Sequence, residues 1–114
     1  LKSLLPKEKE IENSILHYLR IRNIFAWKNE TIGIFSKERG TFMKKHSKFH
    51  MTGQSDILGV FMGRFLAIEV KRPGNKPTPN QVEFISNVNK HGGIAFVATS
   101  VEDVEKMFRQ LGAA

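Results

Sequence analysis

SDILGVFMGRFLAIEVKRPG, residues 55–74, decides the reading of this chain. Ile57 to Met62 and Phe65 to Lys71 are apolar runs rich in residues that suit strands. Gly63-Arg64 separates them, and a Gly-X pair suits a tight hairpin turn because glycine tolerates positive φ at the first turn position. Arg72-Pro73-Gly74 stops the second strand. With Gly63-Arg64 as the turn, Met62 is expected opposite Phe65, Val60 opposite Ala67, Leu58 opposite Glu69 and Asp56 opposite Lys71. Side chains alternate faces along a strand, so Asp56, Glu69 and Lys71 share one face. Asp56 and Glu69 are then diagonal neighbours, about 7–8 Å apart at Cα and less at the carboxylates.

Three charged groups at the open end of an apolar hairpin are costly unless they pair or bind an ion. Mg²⁺ takes one or two carboxylates together with waters and substrate phosphate, a part Asp56 and Glu69 can supply. The backbone carbonyl of Val70 offers a third protein oxygen. A cation there would polarise a phosphodiester and acidify a bound water. Lys71, beside two carboxylates, is expected to stay charged and to stabilise negative charge growing on the phosphate rather than act as general base. The plainer alternative is a turn-capping Asp56 and a half-exposed Glu69–Lys71 charge pair.

Outward from the hairpin, Lys7 to Ile21 reads as a helix with Ile11, Ile15, Leu16 and Leu19 as its apolar stripe. Phe25 to Phe35 reads as extended, with Phe25, Trp27 and Phe35 as core rather than a subunit contact. The stretch up to Thr52 has no clear period and reads as a loop or ragged hairpin. Thr78-Pro79 opens a helix as N-cap and first turn, and Thr78-x-x-Gln81 has the capping-box spacing. Gln81, Phe84, Ile85 and Val88 share a face, and Gly92-Gly93 ends the helix. Ile94 to Ala98 is a short buried strand. Ser100 caps a last helix, with Asp103 in place of the usual glutamate and Val101, Val104, Phe108 and Leu111 as its stripe. Strand, crossover helix and strand from Phe65 to Ala98 form a βαβ unit. The expected fold is α/β, in the order α-β-β-β-α-β-α, with a mixed sheet flanked by helices on both faces.

The chain's 114 residues suit one domain, residues 1–114. It has no apolar stretch of membrane-spanning length, no recognisable secretion signal and no cysteine. A cytoplasmic setting, in a bacterium or a phage-infected cell, is expected, and a structural zinc site is not. Eighteen Lys and Arg against 11 acids leave a net charge of +7, which draws a small domain toward polyanions. Lys37, Arg39, Lys44, Lys45 and Lys48 face the single Glu38, so residues 37–48 carry +4 of that total. These five and Arg72 are the expected phosphate contacts. His46 and His50 read as loop residues near phosphate, since no third nitrogen or sulfur partner is evident.

The motifs GQSDILG (53–59), FLAIEVKRPG (65–74) and PTPNQVEF (77–84) resemble the VRR-NUC family, a branch of the PD-(D/E)xK nuclease superfamily. KEKEIENSILHYLR (7–20) is similar to that family's first helix, and HGGIAFVATSVEDVEKM (91–107) to its closing strand and helix. Ser55-Asp56 stands where the superfamily's Pro-Asp pair is usual. The resemblance implies a restriction-endonuclease-like fold and Mg²⁺- or Mn²⁺-dependent hydrolysis of DNA, with Asp56 and Glu69 as metal ligands and Lys71 as catalytic lysine. It also implies Gln81 as an active-site residue, alongside its cap role, and a first-helix glutamate. Glu8 matches that glutamate best, with Glu12 close behind. Branched DNA such as four-way junctions, cut by a homodimer, is the implied substrate, because cutting two strands symmetrically needs two sites related by a two-fold axis. The alternative function is a non-catalytic nucleic-acid-binding module that keeps the fold.

Overall fold

The computed structural model describes residues 4–30, 34–36, 41–43 and 48–112, the two short middle stretches as backbone only. Helix α1 (Glu8–Ile21) is followed by β1 (Phe25–Lys28), β2 (Ile34–Ser36), β3 (Thr41–Met43), β4 (Ile57–Phe61), β5 (Arg64–Val70), α2 (Pro79–Lys90), β6 (Ile94–Ala98) and α3 (Val101–Gln110). The main sheet runs β1-β4-β5-β6, and β2 with β3 forms a separate antiparallel pair. The main-sheet elements keep the order expected from the sequence. The short β2–β3 ladder starts at the end of the stretch read as extended and takes the hairpin alternative for the residues that follow. The sheet is mixed: β1, β4 and β5 are antiparallel, and β5 runs parallel to β6 across the α2 crossover.

Two apolar layers hold the helices to opposite faces of the sheet. On one face Ile57, Phe61, Leu66, Ile68, Val70, Ile94 and Phe96 meet Ile11, Ile15 and Leu19 of α1 and Val104 and Phe108 of α3. Ile15, Val104 and Phe108 are wholly buried, each contributing about 1.5–3 kcal/mol of transfer free energy. Phe61 stacks on Phe108 at 4.1 Å between ring centroids. On the other face Ala67 and Ala95 pack beneath Phe84 of α2, with Leu58, Ile85 and Val88 around them. On this face α2 covers β5 and β6 and does not reach β1.

The helix ends follow local chemistry. Asn23, at φ 56°, turns the chain out of α1, and the Ile24 N–H closes that end on Leu19 O at 2.9 Å. Thr78 and Gln81 form the complete reciprocal cap at the start of α2. At α3 the Asp103 N–H donates to Ser100 Oγ, while the Asp103 carboxylate reaches back to Thr99, accepting from both its N–H and its hydroxyl at 2.8 Å. That is one residue earlier than a standard capping box.

Two expectations are corrected. The hairpin turn is Met62-Gly63, both at positive φ (54° and 74°), and Phe61 pairs with Arg64. Leu58 thus faces Ala67 and Val60 faces Phe65. A turn with two positive-φ residues matches the twist of the strands it joins, and Gly63 satisfies its second position without strain. The pairing slides by one residue on each strand, so which side chains share a face is unchanged. The second correction concerns Phe25 and Trp27, which are exposed rather than core, because β1 is an edge strand beyond the reach of α2. The Phe35 side chain lies outside the described residues.

Candidate active site

The β4–β5 ladder ends at Ile57 opposite Ile68, and one further step sets Asp56 opposite Glu69. At that step a side chain takes over from the ladder. Asp56 Oδ2 accepts the Val70 N–H at 2.8 Å, which clamps the mouth of the hairpin and fixes the carboxylate. In an extended strand a residue's N–H and C=O leave from the same edge, so the Val70 carbonyl faces the gap beside Asp56 as well. Asn29, beyond the end of β1, holds this corner from the other side. Its N–H donates to Asp56 O at 2.8 Å and its Nδ2 to Ser55 O at 3.1 Å. Sequence reasoning missed Asn29; only the β1–β4 register reveals it.

Glu69 is 1% exposed. Its Oε2 accepts from Gln81 Nε2 at 3.1 Å and lies 3.8 Å from Lys71 Nζ. Its Oε1 is buried and receives no donor among the described residues. A proton shared with Asp56, a water or a cation would satisfy that atom. Burial pushes the Glu69 carboxyl up to about 8, reinforced by the hydrogen bond to Asp56 and by that neighbour's charge; Lys71 opposes the shift and Glu8 adds to it.

Gln81 serves both expected purposes. Its Oε1 accepts the Thr78 N–H at 2.8 Å, completing the cap, and its Nε2 is thereby turned to Glu69. Gly53, at φ 71°, makes room for this arrangement, since a Cβ there would stand 2.3 Å from Asn80 O in the first turn of α2.

Both first-helix acids are felt at the site. Glu12 is buried and lies 3.8 Å from Lys28 Nζ; burial raises its carboxyl, Lys28 draws it back down, and the charges of Asp56 and Glu8 add to the rise. Glu8 is half-buried, and its charge is felt at Glu69. Arg72 Nε donates to Pro6 O at 3.1 Å, tying the chain just ahead of Glu8 to the end of the strand that bears Glu69 and Lys71. Lys48 Nζ sits 5.0 Å over the Phe49 ring. Lys37, Arg39, Lys44 and Lys45 lie outside the described residues.

The donor set fits a hard divalent cation. Among the described residues no group of three His, Cys, Asp or Glu forms a closed cage. A carboxylate pair with an unsatisfied buried oxygen, beside a backbone carbonyl, is what Mg²⁺ needs when waters and phosphate complete its shell.

Acid, acid and lysine thus meet at the mouth of a hairpin, with Gln81 of the crossover helix against the second acid. A solved structure titled VRR_NUC domain protein shares the fold, with a TM-score of 0.57 and 21% identity over 93% of this chain and 88% of that one. The family RecU, Recombination protein U, matches residues 6–110, and the chain belongs to it. It is 28% identical over 101 residues to the Holliday junction resolvase RecU of Shouchella clausii (strain KSM-K16), covering 79% of this chain and 49% of the relative. It is also 28% identical over 107 residues to the Holliday junction resolvase RecU of Mycoplasmopsis pulmonis (strain UAB CTIP), covering 89% of this chain and 64% of that protein. The chain thus spans between about half and just under two thirds of those relatives' lengths.

Proposed function

We propose that this chain is an endonuclease that hydrolyses phosphodiester bonds in branched DNA, four-way junctions above all, with Mg²⁺ or Mn²⁺ held by Asp56, Glu69 and the Val70 carbonyl. The observation that carries the reading is the buried Glu69 carboxyl beside Asp56, with an Oε1 that finds no donor among the described residues. A binding module has no use for a desolvated acid pair turned toward phosphates, whereas a cation site requires one. When bound, the metal supplies charge to the scissile phosphate and acidifies an attacking water.

The chain's own residues prepare that chemistry. Gln81 occupies Oε2 of Glu69 and so leaves Oε1 for the cation. The Val70 N–H holds Asp56 in place. Lys71, its side chain 14% exposed, keeps an ammonium group where negative charge grows on the phosphate. Glu8 stands at the rim as the first-helix acid. Lys37, Arg39, Lys44, Lys45, Lys48 and Arg72 contact phosphates along the DNA arms. The junction substrate rests on the names of the two relatives, and symmetric cutting of such a substrate calls for a homodimer. Among the described residues no helix is long and apolar enough to cross a membrane.

The test is a cleavage panel of four-way junction, flap, duplex and single-stranded DNA, with Mg²⁺, Mn²⁺ or EDTA. Cutting of the junction is expected with either metal and none in EDTA. Lys71→Ala is expected to abolish cutting while binding persists, and Asp56→Asn to abolish it through the metal. Robust cutting by purified Lys71→Ala overturns the site. Salt-sensitive binding without any cutting by the wild type overturns the enzyme.

A further inference from the structure

Asp56 lies one step outside the β4–β5 ladder. On the β5 side its carboxylate accepts the Val70 N–H. On the β1 side Asn29 grips the backbone that carries it, and does so twice. The Asn29 N–H donates to Asp56 O at 2.8 Å, continuing the β1–β4 register by one residue. Its Nδ2 donates to Ser55 O at 3.1 Å. Successive carbonyls of an extended strand leave opposite edges, so one residue reaches two of them only where the chain bends, as it does at Asp56. Ser55 O belongs to the peptide plane that enters Asp56, and Asp56 O to the plane that leaves it. A residue has two soft backbone torsions, one toward each plane, so holding both planes fixes the direction of the Asp56 side chain.

Asn29 is itself anchored. One residue earlier, Lys28 Nζ lies 3.8 Å from the buried Glu12 carboxylate and 3.9 Å from Glu30, which pins the end of β1. Ser55 adds no hold of its own, since its Oγ is buried with no partner among the described residues. We infer that Asn29 is a positioning residue of the cation site, acting through the two peptides that flank Asp56 to keep its carboxylate closed on the same ion as Glu69. This rests on the reading of Asp56 and Glu69 as the cation's carboxylates, and adds a residue that lies outside every motif of that reading. Any amino acid except proline at position 29 brings the main-chain donor. The second bond needs a short side chain that can donate. Without it the carbonyl of Ser55, a residue 1% exposed, loses its donor; the entering plane turns, and Asp56 turns with it. Partners that orient a metal ligand from behind in this way set metal affinity by about 10- to 100-fold.

The test titrates Mn²⁺ alone, without DNA, into the wild type, Asn29→Ala and Asn29→Asp. Binding is read from the loss of the free-ion electron paramagnetic resonance signal. Circular dichroism and melting in EDTA check that each variant is folded at the temperature used. Asn29→Ala keeps the main-chain donor and loses the amide, and is expected to bind Mn²⁺ about tenfold or more weakly. Asn29→Asp keeps the shape and sets a further negative charge beside the site, yet its carboxylate cannot donate to Ser55 O. It too is expected to bind more weakly than the wild type, and it carries the comparison if the alanine variant does not fold. Junction cutting gives a second readout. The Mn²⁺ concentration for half-maximal cutting is expected to rise by a similar factor, with most of the wild-type rate regained at saturating Mn²⁺. A merely structural loss lowers the rate at every Mn²⁺ concentration and leaves the half-maximal concentration where it was; that result overturns the assignment. So does Mn²⁺ affinity unchanged in Asn29→Ala, or as tight in Asn29→Asp as in the wild type, and in either case the cation site itself stands. A wild type that binds no Mn²⁺ overturns the site on which the assignment rests.

Discussion

At the scale of single residues, burial and charge meet in Glu69. Without a metal its carboxyl is raised from an ordinary 4.5 to about 8, so near neutral pH the folded protein keeps a proton that the unfolded chain releases. A group that binds its proton more tightly when folded adds stability in full below its unfolded value and loses it as pH climbs through the folded one. Melting in EDTA between pH 5 and 9 is therefore expected to show a midpoint that falls toward pH 8. Glu69→Gln, which cannot ionise, is expected to flatten that fall, and a slope identical to wild type would show that the pair shares no proton. Metal binding below pH 8 has to displace the same proton, so affinity for Mg²⁺ or Mn²⁺ is expected to rise with pH up to about 8 and level off above it.

At the scale of elements, the β4–β5 hairpin and the start of α2 build the site between them. Met62 adopts φ 54° in a turn that favours Asn-Gly, and its side chain is more than half exposed. Met62→Asn is expected to raise stability by about 0.5–1 kcal/mol, read as a higher urea midpoint with unchanged slope. Gly53→Ala is expected to act in the opposite sense, because the new Cβ meets the backbone of Asn80 and Gln81 and the left-handed φ is strained as well. Its signature is a loss of both stability and cutting, since Gln81 moves with the backbone that the alanine displaces.

These same elements show what the sequence could and could not tell. Alternation along 57–71 was enough to put Asp56, Glu69 and Lys71 on one face, because parity survives a pairing that slides by one residue on each strand. The turn itself was misplaced: glycine suits either position of a two-residue turn, and nothing local announces that Met62 will accept positive φ. The Thr78–Gln81 cap was legible from spacing alone, since its chemistry spans only four residues. Asn29 was not, because its role depends on a register between β1 and β4 set by residues about thirty positions apart. Phe25 and Trp27 were misread as core for a related reason. Hydrophobicity indicates that a side chain favours cover, but only the extent of α2 decides whether cover arrives.

At the scale of the whole molecule, the net charge of +7 and the basic stretch at 37–48 are expected to set how strongly the proposed DNA substrate is held. Binding in EDTA is expected to weaken steeply with salt. The double substitution Lys44→Ala and Lys45→Ala is expected to lower the slope of log affinity against log salt by about two, with weakening shared across duplex, junction and single strand. An unchanged slope would remove those lysines from the contact.

The crossover between β5 and β6 also imposes an order in time. Asp56 and Glu69 are brought together by a hairpin with a two-residue turn, a contact a chain can form in microseconds. Gln81 reaches Glu69 only when α2 docks, and α2 lies within a parallel connection that closes later because its ends are far apart in sequence. The acid pair is therefore assembled before the amide that orients it, and during that interval the nascent centre has its carboxylates but not the geometry to use them. For the proposed nuclease the consequence is a delay: cutting waits for the last element to arrive.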